Sequence, residues 1–138
     1  MTSRFSELVV DAHDLRKLAD FWCAVLDYKI LDEEPDVLEI GPKDFPSEPG
    51  PEMVAEWKAR ARAKPPTPTI VFALVPEGKA VKNRIHIDVS PLEDHQQEVE
   101  RLLALGATHA DVGQGDVKWV VLRDPEGNEF CVLRSLAP

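Results

Sequence analysis

The stretch that decides the fold is Trp119–Leu133, which reads WVVLRDPEGNEFCVL and places two apolar runs around the five residues DPEGN. Pro125 fixes φ at the first corner of a turn. Gly127 and Asn128 tolerate a positive φ, which tight connections between antiparallel strands require. The pattern therefore predicts a β-hairpin near the end of the sequence.

The two faces of this hairpin differ in composition. Because side chains alternate across a strand, a core that takes Phe130 and Val132 leaves Glu129, Cys131 and Leu133 on the other face. A carboxylate and a thiol on one strand face can take part in proton transfer or metal binding. We therefore expect the functional residues on that face.

Composition excludes several classes of partner. The 138 residues carry a formal net charge of −9, whereas binding to nucleic acid needs clustered Lys and Arg. We expect no membrane partner either, because no apolar run is long enough to span a bilayer and no signal peptide is present. Cys23 and Cys131 do not form a spaced framework, which predicts reduced thiols and a cytoplasmic location. Phosphate-binding loops, nucleophile elbows and CxxC pairs are absent from the sequence.

Periodicity upstream of the hairpin predicts the order β-α-β-β-β twice over. Aligning Leu8 with Ile87 also aligns Leu26 with Leu105 and Asp27 with Gly106, which indicates an internal duplication. The predicted elements are strands Ser6–Ala12, Lys29–Glu34, Val37–Ile40, Thr69–Val75, Ile85–Val89, Thr108–Val112 and Val117–Leu122, a helix from Asp14 to Tyr28, and a helix that begins after Glu93 or Asp94 and ends at Gly106.

These elements predict one α+β domain, 1–138, built from two βαβββ modules. Module one covers residues 1–78 and module two covers residues 79–138. Each module is expected to be a small curled mixed sheet covered by a helix on one side, so that the uncovered faces meet at a central cleft.

Residues 42–68, the proline-rich excursion, differ in character from the rest of module one. They contain seven of the twelve prolines. Pro51–Ala63 within them is typical of a short helix with proline at its first position. We interpret the excursion as a surface segment or lid.

Three stretches together resemble the glyoxalase-like domain branch of the vicinal oxygen chelate superfamily, which includes glyoxalase I, extradiol dioxygenases and bleomycin-resistance proteins. They are Leu8–Asp11 followed by Phe21 and Trp22, then Lys82–Asp88, then Asp124–Leu133. The resemblance implies the two-module glyoxalase/bleomycin resistance protein/dioxygenase fold. It also implies a small-molecule ligand and a homodimer, although one fold hosts many reactions.

The resemblance further implies a metal site with ligands from the first, fourth, fifth and eighth strands. Carried over by position, these are Glu7, His86 and Cys131, while Phe72–Leu74 on the fourth strand offer no donor. A carboxylate, an imidazole and a thiolate are an unusual set for oxygen-chelating chemistry. We therefore interpret the metal triad as degenerate and expect no obligatory cofactor, with a divalent metal as the alternative.

The predicted catalytic residues are His86 with Glu7 or Glu129, which together would act as a proton shuttle. The alternative is that His86 is a neutral histidine that only forms a hydrogen bond to one of these carboxylates. For Cys131 a metal or redox role competes with a buried inert thiol. Asp88 either faces the ligand or bonds backbone amides at its strand end.

The predicted function is that of a glyoxalase-like protein that binds a small organic molecule, either sequestering it or acting on it without an obligatory metal. The alternative is a metal-dependent lyase, isomerase or dioxygenase, and a third possibility is a scaffold whose site has decayed. The predicted ligand-binding residues are Trp57, Phe72, Asp88, Trp119 and Cys131.

Overall fold

The computed structural model describes residues 3–46 and 50–138, so part of the excursion, residues 47–49, lies outside the described residues. The chain divides into two units, Met1–Val75 and Pro76–Pro138, with the boundary three residues before the predicted one. The elements of the first unit are β1 (Glu7–Ala12), α1 (Leu15–Leu26), β2 (Tyr28–Glu33), β3 (Val37–Pro42), α2 (Pro51–Ala63) and β4 (Thr69–Leu74). Those of the second unit are β5 (Ile87–Val89), α3 (His95–Ala104), β6 (Thr108–His109), β7 (Val120–Arg123) and β8 (Glu129–Val132).

Both units have the same sheet topology, which confirms the predicted α+β class with two βαβββ modules. The strand orders are β1-β4-β3-β2 and β5-β8-β7-β6. In each sheet the first strand runs parallel to the last, and the remaining neighbours are antiparallel. Within the described ranges no helix is both long and apolar enough to cross a membrane.

Helix α1 begins and ends where its capping residues dictate. The Asp14 carboxylate accepts the backbone N–H of Lys17 at 3.0 Å, which satisfies one of the free donors of the first turn. At the other end Asp27 adopts the left-handed conformation with φ 57°, and the aligned Gly106 after α3 also has a positive φ, 112°. Between these caps, Leu18, Phe21 and Trp22 are the large buried residues of α1. The helix packs against β2, β3 and β4.

The β7–β8 hairpin is held by a hydrogen-bond network around the buried Asp124 of its turn. The carboxylate accepts the backbone N–H groups of Glu126 and Asn128 at 3.0 and 2.9 Å and the Asn128 side-chain amide at 3.1 Å. Gly127 has the expected positive φ of 87°. Asn128 does not adopt the positive φ that the sequence allowed for it. Asp27 is the one described non-glycine residue with a positive φ.

Three strands of the second unit are shorter than predicted. β5 starts only at Ile87, and Ile85 before it is 77% exposed. In the preceding segment, Asn83 bonds to the Glu129 and Asn128 side chains of the hairpin rather than to a neighbouring strand. β6 ends at His109, since Gly113 and Gly115 beyond it both adopt positive φ and turn the chain. β7 correspondingly begins only at Val120.

The proline-rich excursion is an insertion into a β-hairpin. β3 and β4 are antiparallel neighbours, with Ile40 paired to Ile70. The equivalent pair in the second unit, β7 and β8, is joined by the five-residue turn that begins at Asp124. Helix α2 thus occupies a connection that a few residues could close, and its bounds match the predicted Pro51–Ala63.

The core of the second unit lies on the predicted face of its hairpin. Phe130 and Val132 are 1% and 0% exposed, and their strand neighbours on β5 are Ile87 and Val89. The His95 ring at the start of α3 lies 3.4 Å from the Val132 carbonyl oxygen, which places α3 next to β8. The opposite face of β8 is left for the groups described next.

Candidate functional site

A group of three potential ligand residues, His86, Asp88 and Cys131, forms on the sheet face opposite Phe130 and Val132. Asp88 and Cys131 are direct neighbours across the parallel β5–β8 pair, and His86 precedes Asp88 by two residues, on the same side of the chain. One donor atom from each residue lies within 4.8 Å of the others. The structure thus brings together three residues that the sequence suggested as site residues.

The imidazole and the carboxylate of this group are hydrogen-bonded. His86 Nδ1 lies 2.7 Å from Asp88 Oδ1. An ionised carboxylate only accepts, so the bonded Nδ1 carries the proton and a neutral ring presents the lone pair of Nε2. The two side chains are 41% and 40% exposed, which leaves this nitrogen open to a ligand. The arrangement is that of a base oriented by a carboxylate.

Cys131 is the buried member of the group. Burial, followed by the charge of Asp88 and a hydrogen bond to that carboxylate, raises the pKa of its thiol to about 11, and the nearby Lys82 opposes the shift. Since the thiolate is the reactive form, the thiol is protonated at neutral pH and is not a nucleophile. Of the two interpretations of Cys131, this favours the inert thiol.

A mostly buried apolar cluster adjoins the polar group on the same face. Ala110, Val121 and Cys131 form a buried cluster, against which the half-buried Val112 and Leu133 pack. Cys131 therefore belongs both to the apolar cluster and to the group around His86. An apolar floor beside a few oriented polar atoms is the usual composition of a small-molecule site.

Glu129 is held by cations and amides outside the group of three. Its carboxylate accepts Lys79 Nζ at 2.9 Å and the backbone N–H of Asn83 at 3.1 Å, while Arg123 Nε lies 4.0 Å away. Burial, the largest influence, raises the pKa of Glu129. The bonds from Lys79 and from the backbone amides, together with the Lys79 charge, outweigh it and lower that pKa to about 2. A carboxylate with this pKa is a weak base at neutral pH, so the structure argues against the predicted shuttle role of Glu129.

Two predicted residues of the first unit have contrasting environments. Glu7 is exposed at the start of β1, paired with Thr69 of β4. Phe72 is 0% exposed and belongs to the core that α1 covers. A side chain without accessible surface cannot contact a ligand, so we remove Phe72 from the predicted ligand-binding residues.

The two predicted tryptophans differ in setting. Trp57 lies on α2 and is half-buried, with its ring centroid 6.4 Å from that of Phe45. Trp119 comes just before β7 and is 42% exposed. Both side chains therefore have surface available to a ligand.

Sequence reasoning missed the bond between His86 and Asp88 and the bond between Lys79 and Glu129. The first had a signal, because two polar residues at spacing two on a strand share a face; the expectation of backbone bonds for Asp88 was wrong. The second bond had no local signal, since fifty residues separate its partners.

Comparison with known proteins adds a family and a fold. A family model described as a glyoxalase-like domain matches residues 7–133. None of the curated proteins matches the chain. Among solved structures, an enzyme of the glyoxalase/bleomycin resistance protein/dioxygenase family from Burkholderia phytofirmans PsJN is 17% identical with a TM-score of 0.62, over 97% of this chain and 100% of that one.

Two further solved structures have the same fold. The fosfomycin resistance protein FosX from Listeria monocytogenes, a variant complexed with Mn(II), is 14% identical with a TM-score of 0.63, over 98% of this chain and 94% of that one. A bleomycin resistance determinant encoded on the transposon Tn5 is 11% identical with a TM-score of 0.53, over 97% and 99%. At such identities the similarity establishes the fold alone.

Proposed function

We propose that this chain, which belongs to the glyoxalase-like domain family, binds a small organic molecule on the His86 face of its second unit. The observation that carries the proposal is the hydrogen-bonded pair of His86 and Asp88 beside the apolar cluster around Val121. Val112 and Leu133, the half-buried members of that cluster, would contact the carbon skeleton, and the polar pair would orient a hydroxyl or carbonyl group. The structural neighbours include a fosfomycin and a bleomycin resistance protein, which supports a small organic ligand.

Proton transfer is the chemistry that this pair can perform on a bound molecule. Asp88 fixes the Nδ1–H tautomer, so Nε2 of His86 is positioned to accept a proton from the ligand and to return it. Cys131 contributes a protonated thiol that bonds Asp88 and is not itself a nucleophile. Without a proton to move, the same face would sequester the molecule.

A ligand screen with matched histidine variants tests this proposal. Ligand-observed NMR of the purified protein against small uncharged aromatic, catechol-type and dicarbonyl compounds should give hits, and His86→Ala should lose them. Asp88→Asn keeps the size of the side chain but not its charge, and should weaken binding by about tenfold. His109→Ala replaces an exposed histidine of β6 and should retain every hit. Hits that survive in the His86 and Asp88 variants would contradict the proposal.

The second candidate function is that of a metal-dependent lyase, isomerase or dioxygenase, and the three-donor group favours it. Nitrogen, oxygen and sulfur donors together suit Zn²⁺ better than the oxygen-preferring Mn²⁺. His86, Asp88 and Cys131 would hold such an ion, which would supply Lewis-acid polarisation of a ligand oxygen. The thiol would first have to release its proton, and its raised pKa opposes this.

Elemental analysis separates the two candidates. Under the first proposal, plasma mass spectrometry of tag-free protein shows no metal above the level of the His86→Ala and Cys131→Ser variants. Near-stoichiometric zinc, nickel, iron or manganese that both variants lose would instead establish the metal-dependent candidate. Zinc retained in both variants would identify a site elsewhere and leave the first proposal standing.

A homodimer is a separate part of the proposal, and it rests on the family. Sedimentation velocity at several protein concentrations should give twice the mass of 15.4 kDa. A single species at the monomer mass across that range would contradict it.

A further inference from the structure

Helix α2 does not serve the core of the first unit. None of its residues is buried, and it sits in a connection that the paired strands β3 and β4 do not need. Most helices in proteins are stabilised by burial of an apolar face. An inserted helix without such a face suggests that its side chains have another role.

Described residues of the excursion line a half-open cavity of about 280 Å³. One wall is aromatic, with the rings of Phe45 and Trp57 at 6.4 Å between centroids and 59° between planes. Prolines from both ends of the excursion complete the apolar lining, and Arg60 and Lys64 border it. The volume is at the lower end of the range of small-molecule pockets, which suits a compact ligand.

The cations of α2 are arranged on two sides. Residues 58–64 contain four cations and no acid, in a chain of net charge −9. Helical spacing places Arg60 on the same side as Trp57, and Lys64 follows as the C-cap of the helix. These three residues line the cavity, whereas Lys58 and Arg62 do not. Asp44 is the one acidic residue of the described lining, so the cations outnumber the acid there.

Arg60 and Lys64 have no other evident function. The carbonyl groups at the end of α2 accept hydrogen bonds from Arg4 instead, from Nε to Ala61 at 3.0 Å and from a terminal guanidinium nitrogen to Arg62 at 2.9 Å. Within residues 3–46 and 50–138, neither the Arg60 nor the Lys64 side chain has an ion-pair or hydrogen-bond partner. Two unpaired cations beside an aromatic wall present a complementary surface to an aromatic anion.

We propose that this cavity is a second ligand site, which binds a small aromatic carboxylate or sulfonate. The ring packs against Trp57 and Phe45, and the anionic group bonds Arg60 and Lys64. Every residue of this site belongs to the first unit, so the proposal goes beyond the function assigned to the His86 face and does not depend on it.

Calorimetric titration with 1-naphthoate tests the site, with the uncharged 1-naphthamide as the matched ligand. The naphthoate should bind with 1:1 stoichiometry and the naphthamide about tenfold more weakly, because it lacks the charge-assisted bonds. Arg60→Gln with Lys64→Gln should lower naphthoate affinity by about tenfold. The control pair Lys58→Gln with Arg62→Gln removes the same charge from the other side of α2 and should change affinity by less than about twofold.

Amide chemical shifts of the same samples locate the ligand. Naphthoate should shift the resonances of Phe45 and residues 57–64, and Trp57→Ala should abolish saturable binding. The His86→Ala variant should bind naphthoate as the unmodified protein does, so the two sites can fail independently. Equal losses in the two double variants, shifts confined to the His86 face, or no saturable binding at millimolar naphthoate would each overturn the proposal.

Discussion

The role of single residues depends on partners that the sequence can reveal only when they are close along the chain. Alternation along a strand gives His86 and Asp88 a common face, and the structure adds Cys131 of the neighbouring strand to it. The same alternation put Glu129 beside Cys131, but it could not reveal that Lys79, fifty residues earlier, holds that carboxylate. The sequence therefore suggests that Glu129 is a base, whereas its ion pair with Lys79 gives this carboxylate a structural role.

Glu129 should make the stability of the protein dependent on acid pH. Its pKa in the folded state, about 2, lies below the ordinary value of 4.5, so its contribution is fully present above pH 4.5 and is lost as the pH falls through 2. A shift of this size corresponds to about 3 kcal/mol. In urea unfolding, Glu129→Gln should lower the free energy of unfolding by about that amount at pH 7, and by about half as much at pH 3.

The exposed Glu77 provides the control for this measurement. Glu77→Gln should change the free energy of unfolding by less than about 0.5 kcal/mol at either pH. A deficit in Glu129→Gln that is equal at pH 7 and pH 3 would show that the loss comes from packing rather than from the carboxylate charge.

Helices were predicted closely because their ends are marked by local chemistry. Asp14 and Asp94 both cap through their side chains, and proline opens α2, so the helix bounds follow from short-range rules. Strand bounds depend on partners instead. β5 begins late where a bond to a distant side chain replaces the ladder, and β6 ends early where glycines with positive φ turn the chain. Neither effect is visible in periodicity.

The end of α1 provides a test of the internal repeat at the level of the helix. Asp27 has φ 57° where the second unit has a glycine. A side chain in this conformation costs about 1 kcal/mol or more relative to glycine. Asp27→Ala should therefore be less stable than Asp27→Gly by about 1 kcal/mol in chemical denaturation. Both variants lose the exposed ion pair with Lys43, so their difference isolates the backbone cost, and equal stabilities would contradict it.

For the whole molecule, the order of elements and the α+β class with its two similar sheets could be predicted from the sequence. The cavity within the excursion could not, because it depends on the way Phe45 and the prolines meet α2. Periodicity assigns residues to faces of elements, but a cavity is defined by the space between segments that have no periodic relation to one another.

Removing the excursion should separate folding from binding in the first unit. Replacement of residues 45–66 by a short Gly-Ser linker leaves the β3–β4 pairing intact and shortens the loop that folding must close. Among its described residues, 45, 46 and 50–66, it removes no buried side chain. We expect the melting temperature to change by less than about 5 °C in a calorimetric scan, with complete loss of naphthoate binding. A broad, non-cooperative transition would show that the segment is needed for the fold.

The pairing of Ile40 with Ile70 on either side of the inserted segment has a consequence for the evolution of the protein as well as for its folding. A strand pair whose register is set by its own cross-strand contacts places little selection on the length or content of the chain that joins its ends. Substitutions in that segment can accumulate one after another while the protein still folds. The first unit is therefore free to acquire, exchange or lose a recognition surface at this point while the sheet beneath it stays the same.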